Sequence, residues 1–178
     1  MAGGADTLER RRGVELRAAG RRLEGYAAIF GNEARIGTFR EKIVAGAFAA
    51  SLGGGDILAL ADHDPTRLLA RTRNGTLRLA EDARGLSFEI DVPETSLGRD
   101  ILAMAERGDL GGMSFGFRVP RGGEAWNGDV RTLTKIDLRE VSVVAAWPAY
   151  AGTTVTARSA TPALNRARRY VEILRYGN

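Results

Sequence analysis

Three short segments hold the residues whose chemistry a chain of 178 residues with one histidine and no cysteine could still perform. Leu60-Ala-Asp-His63-Asp64-Pro65 ends an apolar run on the sole imidazole, with a carboxylate on either side and a proline to stop it. Gly111-Gly-Met-Ser114-Phe-Gly-Phe117 places a serine just inside a strand-like run, where glycines let backbone or a substrate come close on one side. Asp137-Leu-Arg-Glu140-Val-Ser-Val-Val sets a carboxylate among β-branched residues. Each segment has an ordinary reading by itself: a surface or satisfied core histidine, a strand serine among glycines that ease a bulge, a charge on a sheet edge. Together they supply what nucleophilic catalysis requires, because a serine hydroxyl needs a base and the base needs an orienting partner. His63 is the one base on offer. For the orienting carboxylate, Asp62 and Asp64 compete with Glu140.

Composition removes several other chemistries. Without cysteine there is no disulfide scaffold, thiolate metal site, iron–sulfur cluster or cysteine nucleophile, and with one histidine there is no His-rich zinc site or Ser-His-His triad within a single chain. No cofactor or metal is expected. No run of 18 apolar residues and no apolar stretch near the charged N-terminus is present, so neither a membrane span nor a secretory signal is expected, and the default compartment is cytoplasmic. A sequence pI near 9.9 suggests nucleic acid until the charge is located. Residues 158–178 hold five arginines against one glutamate, which is the whole formal +4 of the chain. The body is neutral, and its few aromatics do not interleave with arginines as base-stacking platforms would, so no specific nucleic-acid partner is expected.

The elements that must position these residues are mostly strands. Alternating apolar and polar positions predict a hairpin over 13–18 and 22–30, turning at Ala19-Gly20. Further strands are expected at Ile57–Ala61, Leu68–Arg73, Leu77–Glu81, Leu86–Val92, Met113–Val119, Val130–Leu138 and Val141–Ala146. Asn74-Gly75 reads as a two-residue hairpin turn and Ala83-Arg84-Gly85 as a weaker one. Helices are expected at Val44–Leu52, at Ser96–Arg107 between a Thr95 or Ser96 cap and a Gly108 stop, and from Pro162 to Tyr170 or beyond. The composition is that of one β-rich domain with peripheral helices, and a small barrel pairs many short strands without leaving edges. Residues 1–157 form the expected barrel domain and 158–178 a basic C-terminal helical tail.

The stretch from Gly25 to Thr153 resembles the prohead (procapsid maturation) proteases of tailed bacteriophages, relatives of the herpesvirus assemblins. The likeness is carried by Gly25-Tyr-Ala-Ala-Ile-Phe, Ile43-Val-Ala-Gly-Ala-Phe48, Leu60-Ala-Asp-His63-Asp64, Gly112-Met-Ser114-Phe-Gly-Phe117, Leu138-Arg-Glu140-Val-Ser-Val-Val and Trp147-Pro-Ala149, in order. It implies a seven-stranded, mostly antiparallel barrel wrapped by helices, with His63 as general base, Ser114 as nucleophile and Glu140 as third member, where assemblins use a second histidine. It also implies an oxyanion hole just after the last barrel strand, at the backbone N–H of Tyr150 or Ala151, although the arginines that assemblins carry there are missing.

The implied function is a serine endopeptidase that trims capsid or scaffold propeptides inside the immature procapsid in the bacterial host cytoplasm. Its partners would be the major capsid protein, the scaffold protein or both, with self-association left open and no membrane or nucleic acid involved. The rival from another class is a non-catalytic capsid assembly component that keeps the protease fold. Assemblins are released from a C-terminal scaffold extension, so self-cleavage in the small-residue linker at 157–160 is a further expectation.

Overall fold

The computed structural model describes residues 8–12 and 15–145. They form thirteen strands and two α-helices. In chain order these are β1 (Glu9–Arg12), β2 (Glu15–Ala19), β3 (Arg22–Ile29), β4 (Ala34–Ile36), β5 (Phe39–Ile43), α1 (Ala49–Leu52), β6 (Leu58–Ala61), β7 (Asp64–Arg71), β8 (Leu77–Glu81), β9 (Gly85–Asp91), α2 (Ser96–Arg107), β10 (Gly112–Arg118), β11 (Glu124–Asn127), β12 (Val130–Leu133) and β13 (Asp137–Val144).

The strands assemble into three mostly antiparallel sheets: a five-stranded sheet β1-β10-β13-β6-β7, a four-stranded sheet β2-β3-β9-β8, and a four-stranded sheet β11-β12-β5-β4. The β12–β5 and β13–β6 pairings are parallel. This corrects the expected closed barrel of seven strands. The strands are shorter and more numerous than the sequence periodicity suggested, and the described chain changes sheet between β1 and β2. The expected helix at 162–170 lies outside the described residues.

Alternation explains why the five-stranded sheet forms. On β10, Met113, Phe115 and Phe117 are buried, as are Val141 and Val143 opposite on β13 and Ala59 and Ala61 on β6. Phe48, Phe115 and Phe117 follow one another in ring contact through this core, at centroid separations of 5.9 and 5.4 Å. α2 opens on Thr95, whose side chain accepts from Gly98 N–H, and closes on Gly108 at φ +76°. Only the last turn of the helix expected at 44–52 is helical. The strand expected at 130–138 is two strands in different sheets, parted at 134–136. Asn74-Gly75 closes a single 3₁₀ turn between sheets rather than a hairpin, since β8 pairs with β9 and not with β7.

β1 is the strand no apolar pattern announces, because its inward side chains are charged. Glu9 and Arg11 are buried with Glu41 of β5 and Arg131 of β12. Arg11 reaches both oxygens of Glu41 at 2.5 and 2.8 Å and Glu9 at 2.7 Å. Arg131 bonds Glu9 at 2.7 and 2.8 Å, Glu41 at 2.9 Å and Glu124 of β11 at 2.5 Å. Burial alone would raise the Glu9 carboxyl, but the hydrogen bonds and charges of Arg131 and Arg11 outweigh it and hold the group below the ordinary carboxylate range. A carboxylate depressed in this way stabilises the fold above its unfolded value, about 4.3, and that contribution is lost as pH falls through the lower folded value. The melting temperature of the wild type is therefore expected to fall below about pH 4, and that of Glu9→Gln to fall less over the same interval. Arg131→Met, which strands buried carboxylates, is expected to cost about 3–5 kcal/mol by denaturant unfolding at neutral pH.

Candidate active site

His63 sits in the two-residue turn that joins β6 to β7. Both turn residues are left-handed, Asp62 at φ 53° and His63 at φ 61°, the type I′ geometry that matches the twist of a hairpin. Asp and His adopt that region more readily than most side chains, at a cost of roughly 1–2 kcal/mol per residue. The turn is braced. Asp62 N–H donates to Val143 O at 2.8 Å, its carboxylate accepts from Ala145 N–H at 2.9 Å, and Arg67 closes on it at 2.6 Å. Asp64 turns away to Thr66. Pro65, read from sequence as a stop, is the second residue of β7, an edge strand, where a missing N–H is tolerated.

The imidazole meets Glu140. His63 Nδ1 lies 2.6 Å from Glu140 Oε1, although the two residues are 77 apart in sequence. The parallel register of β13 on β6 allows the meeting: Glu140 pairs with Leu58 and Val143 with Ala61, so the turn after Ala61 stands beside the C-terminal end of β13, where Asp62 bonds Val143 and Ala145 and the His63 ring reaches Glu140. A ring nitrogen bonded to a carboxylate is the protonated one, which leaves Nε2 as the basic nitrogen. The other oxygen, Glu140 Oε2, accepts from Ser142 Oγ. Arg10 Nε of β1 stands 3.7 Å from Oε1. Of the carboxylates weighed for this place, Glu140 is the one in contact with His63, whereas Asp62 and Asp64 are engaged elsewhere.

Ser114 lies directly opposite Ser142 in the β10–β13 ladder, which puts it on the same side of the sheet as Glu140 and one strand away. It is buried, and its Oγ donates to the Arg11 carbonyl oxygen of β1 at 2.7 Å rather than to the imidazole. β1, a strand of charged residues that no hydrophobic pattern reveals, flanks it on the side away from β13.

Gly116 makes room for the carboxylate. It faces Glu140 across the ladder, beside a bulge, and a Cβ built on it would collide with the carboxylate oxygen and lie 2.9 Å from Cδ and 3.0 Å from Cγ. Because the Glu140 side chain is buried and bonded through both oxygens, it can yield only by giving up His63 or Ser142. Gly116→Ala is accordingly expected to lower kcat/KM at least tenfold and to cost about 1–3 kcal/mol in unfolding free energy, as overpacking does. The close approach that sequence inspection assigned to backbone or substrate is made here by a side chain of the site itself.

Tyr150 and Ala151, the expected oxyanion donors, lie outside the described residues. Among the described residues no group of three or more His, Cys, Asp or Glu side chains is arranged to hold a metal ion. Nor is any helix among them long and apolar enough to cross a membrane.

A half-buried histidine bonded to a buried glutamate one strand from a serine, on a β-rich scaffold, is the arrangement expected of a serine hydrolase. Comparison with family models agrees: the model of the caudovirus prohead serine proteases matches residues 8–166. The chain belongs to the caudovirus prohead serine protease family. It is thus a serine protease of capsid maturation, working within the procapsid in the host cell in the company of capsid and scaffold proteins. Comparison with curated proteins and with solved structures finds no match.

Proposed function

We propose that the chain is an endopeptidase of Ser-His-Glu type, related to the assemblins, that removes propeptides from the major capsid protein, the scaffold protein or both. The observation that supports this most is the 2.6 Å contact of His63 Nδ1 with Glu140 on the strand paired to the one that carries Ser114. Ser114 Oγ leaves the Arg11 carbonyl by a rotamer change and attacks the scissile carbonyl carbon, while its proton passes to His63 Nε2. The imidazolium, stabilised by Glu140, returns that proton to the leaving amine, and water then releases the acyl group by the same relay in reverse. The peptide bond supplies electrophile and leaving group, so no redox partner enters. The host cytoplasm is the compartment in which the procapsid assembles in this reading.

Coexpression with the capsid or scaffold protein of the same particle tests this. Mass spectrometry of the particles is expected to show one defined N- or C-terminal propeptide lost with the wild type and retained with Ser114→Ala. Intact propeptides with both chains would overturn the endopeptidase reading.

A further inference from the structure

Ser142 is fully buried in the middle of β13, between Val141 and Val143, where a hydroxyl has no packing reason to be. A buried hydroxyl is costly unless it is bonded. Its partner is the same carboxylate that holds the imidazole: Ser142 Oγ donates to Glu140 Oε2 while His63 occupies Oε1. Residues 140 and 142 share one face of the strand by alternation, and Ser114 and Leu60 flank Ser142 in the neighbouring strands. A carboxylate held through one oxygen alone is free to turn, since the terminal torsion of a glutamate is broad. Held through both, it has a fixed plane.

We propose that Ser142 is a positioning residue of the protease: it fixes the plane of the Glu140 carboxylate and through it the orientation of the His63 ring, without touching substrate. This rests on the Ser-His-Glu reading. Arg10, 3.7 Å from Oε1 and partly exposed, is too distant to perform the same task.

The test uses the full chain and a peptide spanning the cleavage site mapped by coexpression. Ser142→Ala is expected to lower kcat about ten- to a hundredfold, as loss of a hydrogen bond to a charged group does, with KM little changed. Because the chain has one histidine, the downfield Nδ1–H proton resonance belongs to His63 alone, and it is expected to move in Ser142→Ala. In a Glu140→Gln background the same substitution is expected to bring no further loss, since its route to the imidazole has already been altered. Ser142→Cys, which fills the site but donates weakly, is expected to fall between wild type and alanine should Ser142→Ala prove unstable.

An equal loss in both backgrounds, or an unmoved resonance, would assign Ser142 to packing and overturn the proposal. A fully active Glu140→Gln would instead overturn the Ser-His-Glu reading, and this inference with it. A dead Glu140→Gln beside a fully active Ser142→Ala would overturn this inference only.

Discussion

Ser114→Ala is expected to leave a folded chain that cleaves nothing. The substitution removes one hydroxyl, which donates to the Arg11 carbonyl, from a side chain already enclosed between β1 and β13. Losing that bond costs about 1 kcal/mol, a tolerable fraction of the stability of a domain of this size. The loss of rate has no such bound, because no other serine among the described residues is placed to replace it. Ser142, its neighbour across the ladder, is fully buried and committed to Glu140. Rates within tenfold of wild type on the mapped peptide would show that the nucleophile lies elsewhere, and a matched melting curve would guard against misreading an unfolded chain as an inactive one.

His63→Asn carries the second large effect. Asparagine suits the argument better than alanine, because it tolerates the left-handed conformation that the turn imposes and so separates the chemistry from the hairpin geometry. With the only imidazole gone there is no substitute base, and the loss is expected to reach a thousandfold or more, comparable with Ser114→Ala. Residues that act as one unit are not additive, so the double variant should be no slower than either single one. Additive losses would mean that serine and histidine serve separate steps.

The parts legible in the sequence were those in which local pattern and final environment coincide. β8, β9, β10 and α2 stand within a residue of their expected bounds: in β8 and β9 the apolar period is also largely the burial pattern, β10 keeps its apolar alternation although it is buried on both faces, and Thr95 and Gly108 cap the helix through local chemistry. β1 was illegible for the opposite reason. Glu-Arg-Arg-Arg looks like a solvated charge run, and only the partners Glu41 and Arg131, far along the chain, turn half of it inward. β11 is exposed along its whole length and offers no period to read. The expected helix at 44–52 is mostly turn because its alanines give propensity without a continuous apolar face.

Within the site, residue types and spacing singled out His63, Ser114 and Glu140. What they could not convey was that Gly116 is empty so that Glu140 can lie across it, or that Ser142 shares its carboxylate. Both depend on register, and register is a property of paired strands rather than of either strand alone.

The same register sets a clock. The residues of β1 pair with residues 114–117 and its ionic partner Arg131 comes later still, while Glu140 belongs to the last described strand. At about 5–20 residues per second, a ribosome spends on the order of ten seconds between the first strand and the last. Pairings so distant in sequence also form late after synthesis. Until β13 has been made, the imidazole has no Glu140 to meet. Fold topology thus makes the His63–Glu140 contact one of the last features of the site to form.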